Sequence, residues 1–309
     1  MVHFRAGLAT ALGLLSGRTA HTAVAEDTTS FPSFFSTDGP VESLTRKSFI
    51  SSILENRSPG VVWFYSEKEC PQCGEIAEMY EAAAKKMTAW GLTIGAVNVD
   101  NEPRLAKEVG APKFPPMMNV YHGRSAPNPY GGLPVRPHQP IALAKDSRSL
   151  MKQALNLVPD HVVTVNLKES GVPLKEALSS GDTPYAAVLI TATGKTSPLL
   201  RVLASELAGD VDAIQAHVPD KVDGDDNEEE TLRLTALQRE RERVIRLLDD
   251  ALGLKGGVRS MPSLVVMDKA NRKSALYEGD ISSAKEMLEF IRDTASLSKP
   301  DDTTDESSS

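Results

Sequence analysis

The sequence predicts an α/β protein of two tandem sandwiches, each a central mixed sheet flanked by helices. Three observations predict it. Along residues 41–158, apolar strand-like runs alternate with helix-like runs, as they do when helices connect the strands of one sheet. The same order returns along residues 159–296. Between the most apolar strand of the first half and the helix after it stands Cys70-Pro71-Gln72-Cys73, which holds the only two cysteines of the chain.

In the first half, Val41 to Thr45 suits an edge strand and Arg46 to Glu55 a first helix. Gly60-Val61-Val62-Trp63-Phe64-Tyr65 is short, apolar, β-branched and aromatic, the composition of a buried parallel strand. Gly74 to Met87 carries strong helix formers with apolar residues at three-and-four spacing. Gly91 ends that helix, and Leu92 to Asp100 reads as a second buried strand. A short helix, Pro103 to Val109, leads into a strand from Phe114 to Tyr121 and a turn at His122-Gly123. Tyr130-Gly131-Gly132 is expected to end another short strand, and Ser147 to Val158 closes the unit as a helix.

In the second half, Val162 to Val165 is a strand, Val172 to Ser179 a helix and Ala186 to Thr191 the central strand. Thr193-Gly194-Lys195-Thr196-Ser197-Pro198 then stands where the first half has its cysteines, before a helix from Leu199 to Leu207. Val211 to His217 is the next strand, Thr231 to Leu252 a helix, Val258 to Met267 a hairpin strand with Pro262 at its start, and Ser274 to Tyr277 its partner. The helix Ser282 to Thr294 completes the set.

The formal charge of −8 argues against nucleic acid or anionic membrane as a partner. Beyond the N-terminus, no stretch is long and apolar enough for a bilayer span. The first 25 residues lack acids, carry Arg5 before the apolar run Ala6 to Leu15, and end in Ala23-Val24-Ala25. This reads as a secretory signal peptide and places the protein in the endoplasmic reticulum lumen or secretory pathway. A mitochondrial presequence is the alternative, since Arg5, Arg18 and the lack of acids suit that too. No KDEL-type tetrapeptide ends the chain. The organisation expected is a signal peptide (1–25), a flexible segment (26–40), a domain with the cysteines (41–158), a second domain (159–296) with an acidic insertion (219–230), and a disordered acidic tail (297–309).

A cysteine at a helix N-terminus meets unsatisfied N–H groups and the positive end of the dipole, which favour thiolate over thiol. A second cysteine one turn on is within reach to close a disulfide, and this pattern points to dithiol redox chemistry. Tetrahedral zinc needs four ligands, and a chain with no other cysteine and scattered histidines offers none; no metal and no cofactor are expected. Asn56-Arg57-Ser58 is a lone glycosylation sequon followed by Pro59.

The order of elements, with a dithiol at the first buried helix and a proline opening the hairpin, resembles the thioredoxin fold. Residues 41–158 are similar to the catalytic domain of protein disulfide isomerases, in VVWFY before the dithiol, EIAEMYEAAAKKM after it, IGAVNVD, LAKEVGAPKFP and YGG. Residues 159–296 look like the redox-inactive thioredoxin-like domain that such proteins commonly carry. The resemblance implies that Cys70 is an exposed nucleophile and Cys73 the resolving thiol beneath it. It implies a substrate groove at Phe114-Pro115-Pro116 with a cis proline opposite the dithiol; counting from Gly110 favours Pro115, counting back from Tyr121 favours Pro116. It also offers Arg136 as a counterpart of an assisting arginine.

The departures from that family concern tuning. Pro71-Gln72 replaces the usual Gly-His, Glu69 stands in place of a tryptophan, the loop Ser66 to Glu69 has one extra residue, and Val62 and Trp63 occupy the region of a buried acid. Gln72 is uncharged and Glu67 and Glu69 oppose a thiolate, so the pair is expected to be less oxidising than the family norm. The expected function is thiol–disulfide exchange with cysteine-containing client proteins and redox partner thiols. The alternative is a client-binding chaperone or adaptor with a weak or vestigial redox site.

Overall fold

The computed structural model describes residues 34–111, 116–142, 144–167, 172–218, 242–254, 258 and 261–297. The segments expected as signal peptide (1–25), acidic insertion (219–230) and tail lie outside these, apart from residue 297. The described residues belong to one compact unit.

The first sheet has five strands in the order β1-β3-β2-β4-β5: β1 (Glu42–Ser43), β2 (Gly60–Tyr65), β3 (Thr93–Asn98), β4 (Met117–Tyr121) and β5 (His138–Ile141). Strands β1 and β2 run parallel to β3, and β4 is antiparallel to both β2 and β5. All six residues of β2 are buried, because helices cover both faces of the sheet and the strand has neighbours on both sides. Its side chains alternate between two cores. Val61, Trp63 and Tyr65 face α2 (Cys73–Ala89) and α4 (Ser147–Leu157). Val62 and Phe64 face α1 (Arg46–Phe49), the π-helical turn Ile50–Leu54 and α3 (Pro103–Glu108). Fully burying each of these large side chains contributes about 1.5–3 kcal/mol.

Two expectations change here. The packed core reaches upstream of residue 41: Phe35 is buried among Trp63, Tyr65 and Tyr80, and the Phe34 ring lies 5.3 Å from that of Tyr65. The strand pairing with β4 is His138–Ile141, not a segment ending at Tyr130-Gly131-Gly132. Those residues form the tip of a loop closed by an Ala126–Val135 bridge, because Gly131 and Gly132 adopt φ of 78° and 93° and cannot extend a strand. Pro140 is tolerated in β5 because that strand is at the sheet edge.

The second sheet repeats the first: β6 (Val162–Asn166), β7 (Tyr185–Thr191), β8 (Val211–His217), β9 (Ser263–Asp268) and β10 (Lys273–Leu276), in the order β10-β9-β7-β8-β6. Its helices are α5 (Val172–Ser180), α6 (Pro198–Glu206), α7 (residues 242–252) and α8 (Ala284–Thr294). The Met261–Pro262 bond before β9 is cis. Of the long helix expected from Thr231, residues 231–241 lie outside the described set.

The halves share packing. Val202 of α6 belongs to the first sheet's core, and Trp90 lies against the cores of both. Gly91 has φ of 91°, and a Cβ there would meet Ala284 Cβ of α8 at 3.1 Å, so the turn after α2 must lack a side chain to seat the second domain. Polar bonds surround this contact. Arg201 donates to Val158 O at 2.9 Å, Arg57 pairs with Asp210, Arg124 reaches Asp210 at 3.2 Å, and Ser58 donates to the buried carboxylate of Glu206.

Candidate functional site

Cys70 ends the loop after β2 and Cys73 is the first residue of α2; they are joined as a disulfide with Cα atoms 5.3 Å apart. A tight turn holds them, the Cys73 N–H donating to Cys70 O at 3.0 Å. Pro71 and Gln72 are exposed on this turn. Gln72 is the N-cap of α2 but its side chain accepts no capping bond, so it leaves the helix's free N–H groups to the cysteine end of the helix.

The disulfide belongs to the buried core on the α2 face of the sheet. Cys70 and Cys73 share a buried cluster with Phe35, Trp63, Tyr65 and Tyr80. The Trp63 ring is 5.0 Å from Tyr65, 5.5 Å from Tyr80 and 5.8 Å from Phe35. Tyr80 donates its hydroxyl to Val61 O and Gly95 O, both at 2.9 Å, tying α2 to two strands; burial pushes that hydroxyl's pKa well above its ordinary value. Cys70 is 2% exposed, which corrects the expectation of an open sulfur. With the disulfide closed, the sulfur packs inward and the exposed rim is Pro71-Gln72.

Asp100, just past β3, organises the loop Ser66 to Glu69. Its carboxylate accepts the Ser66 hydroxyl at 3.0 Å and the N–H groups of Glu67 and Lys68 at 3.0 and 3.3 Å. Ser66 Oγ in turn accepts the Glu69 N–H at 3.0 Å. Asn98 donates to Glu67 at 3.3 Å. Burial, with the Asp100 charge adding to it, raises the Glu67 carboxyl above its usual range. Glu69 itself is exposed.

Of the residues expected to form a substrate groove, Phe114 and Pro115 lie outside the described residues; Pro116 is half-buried immediately before β4, the neighbour of β2. Arg136 is not brought to the dithiol. Its guanidinium donates to Gly123 O at 3.0 Å, Arg57 O at 3.1 Å, Ser58 O at 2.9 Å and also Ile53 O. These carbonyls belong to the turn after β4, the π-helical turn Ile50–Leu54 and the chain entering β2 at Gly60, whereas Cys70 follows its other end, Tyr65. Burial lowers the Arg136 pKa to about 10, so it is charged at neutral pH and serves as a structural clamp.

In the second domain the β7–α6 junction has no cysteine, and Gln215 of β8 locks it. Fully buried, its amide accepts the Ser197 N–H at 2.9 Å and donates to Thr193 O and Lys195 O at 3.1 and 2.8 Å. The sequence pattern does not single out Phe35, Asp100 or Gln215. The run Phe34-Phe35 and the acid closing the β3 run were the available signals for the first two; nothing in the sequence marked Gln215.

Residues 40–138 match the thioredoxin family model. No curated protein matches. Among solved structures, the chain is similar to full-length ERdj5, at 16% identity and TM-score 0.37, over 83% of this chain and 33% of that one. Human ERp44 in its zinc-bound form is 11% identical, TM-score 0.33, over 82% and 57%. The first two thioredoxin domains of Naumovozyma dairenensis Eps1p are 16% identical, TM-score 0.33, over 83% and 98%. The chain spans about a third of the ERdj5 chains. No helix among the described residues is long and apolar enough to cross a membrane. The family match over residues 40–138 and the repeated strand order identify two tandem thioredoxin-like folds, the first carrying a Cys70–Cys73 pair at disulfide distance.

Proposed function

We propose that the protein is a thiol–disulfide oxidoreductase of the protein disulfide isomerase type, acting on cysteine-containing proteins through Cys70 and Cys73. The observation that carries this reading is the disulfide at the N-terminus of α2, directly after the central strand of a thioredoxin-like sheet. In the reduced form, the Cys70 thiolate attacks a client disulfide, forming a mixed disulfide and releasing one client thiolate, which takes a proton. Cys73, deprotonated, then attacks Cys70 Sγ, closing the intramolecular disulfide and releasing the second client thiol. The client is reduced by two electrons and the protein oxidised by two; the reverse order oxidises the client. The helix dipole and free N–H groups of α2 support the thiolate. The second domain contributes client-binding surface without redox chemistry. A secretory compartment suits a working disulfide and the pattern of residues 1–25.

The burial of Cys70 favours a second reading, a client-binding chaperone or adaptor whose dithiol is vestigial. Trapping separates the two. In the exchange reading Cys73→Ser accumulates mixed disulfides with a reduced-and-reoxidised model client, and Cys70→Ser accumulates none. If neither variant forms mixed disulfides while client binding persists, the chaperone reading replaces it.

A further inference from the structure

Trp63 presents a buried polar group that nothing in the disulfide form satisfies. Its side chain is fully buried, and its indole Nε1–H has no hydrogen-bond partner. An unpaired buried donor is destabilising, and native proteins rarely keep one without a use. Trp63 lies on the face of β2 that packs under the start of α2, from which Cys73, Ile76, Ala77 and Tyr80 enter the same cluster. The indole donates only and accepts nothing. Among its neighbours, the Tyr80 hydroxyl is engaged with two backbone carbonyls. The sulfurs of Cys70 and Cys73 are the atoms of this cluster whose acceptor strength changes with redox state. A disulfide sulfur is a poor acceptor, whereas a thiolate takes a charge-assisted bond. Reduction also frees the sulfurs to move apart.

We propose that the Trp63 indole N–H is a redox-tuning donor that stays unpaired in the disulfide and bonds a cysteine sulfur in the reduced form. This deepens, and rests on, the exchange reading of the dithiol. The orphaned donor raises the free energy of the disulfide form and stabilises the thiolate of the reduced form, so both effects make the protein a better oxidant. It thereby works against the loop acids Glu67 and Glu69, which disfavour the thiolate.

The full chain and its Trp63→Phe variant are equilibrated in glutathione buffers and the thiol fraction is read by alkylation. The variant is expected to favour its disulfide about tenfold more strongly, a potential about 30 mV more negative. A merely packing role weakens both redox forms alike and leaves the potential in place, so an unchanged potential overturns the proposal. A second readout needs no variant to remain folded for the potential. The chain has two tryptophans, so the ¹⁵N–¹H spectrum holds two indole signals, and replacing Trp90 by Phe identifies that of Trp63. Its proton is expected to move downfield when the intact protein is reduced with dithiothreitol; an unmoved signal also overturns the proposal. If the wild-type pair shows no reversible couple with glutathione, the exchange reading fails, while the indole signal still decides whether Trp63 bonds the reduced sulfur.

Discussion

Glu206, at the end of α6, pairs with Arg292 of α8 at 2.6 Å and accepts the Ser58 hydroxyl from the segment entering β2. One buried carboxylate thus joins two helices of the second domain to the first. Replacing it by alanine strands a mostly buried arginine and removes a bond across the domains. Glu206→Ala is expected to lose about 3 kcal/mol, and urea denaturation is expected to separate into two transitions in place of the single one expected of the wild type.

Burial raises the Glu206 carboxyl above its ordinary value, against the pull of Ser58 and the surrounding arginines. The folded state therefore holds this proton more tightly than the unfolded state. Its contribution to stability is fully present below the ordinary carboxylate pKa and is lost as pH rises through the higher folded value. Glu206→Gln keeps an acceptor for Ser58 and is expected to flatten stability in that window, measured by urea midpoints from pH 4 upward.

Arg136 is expected to matter for folding and not for redox chemistry. Arg136→Met leaves four carbonyls without their donor, at a cost of about 3 kcal/mol or more. Its glutathione equilibrium, measured at a temperature where the variant is folded, is expected to match wild type. A shifted potential would place the guanidinium nearer the dithiol than its bonds to the carbonyls of Ile53, Arg57, Ser58 and Gly123 do.

Asp100 fixes the loop that precedes Cys70. Asp100→Ala removes acceptors for one hydroxyl and two backbone donors, about 1–3 kcal/mol in sum given the partial exposure of the loop. Hydrogen exchange at Glu67 and Lys68 is expected to accelerate, with protection of the β2 amides retained.

Gln72 is exposed between the cysteines and makes no capping bond. Gln72→His puts a group that can carry positive charge beside the Cys70 thiolate. The thiol pKa is expected to fall, and the dithiol form to be favoured about tenfold, roughly 30 mV. Thiolate absorbance against pH and the glutathione equilibrium check the two effects.

What the sequence revealed and what it hid have one physical basis. β2 was legible because a strand buried on both faces has no polar positions, and α2 because its helix formers and apolar spacing agree. The dithiol was legible because the chain has no other cysteine to confuse the pairing. β5 was not, since His138–Ile141 is an edge strand with three of four residues exposed, so its extended form comes from the register with β4 and not from its own pattern. Arg136 reads as a surface or functional arginine because its partners are backbone carbonyls, which leave no mark on side-chain identity. Phe35 followed a polar stretch and lacked any periodic context; only the aromatic faces of Trp63, Tyr65 and Tyr80 give it a place.

The most direct test of the account is the redox equilibrium of the purified full chain in glutathione buffers, with Cys70→Ser as the control. A reversible two-electron couple between thioredoxin-like and isomerase-like potentials, roughly −270 to −180 mV, is expected. A pair that stays locked as dithiol or as disulfide across that range would contradict it.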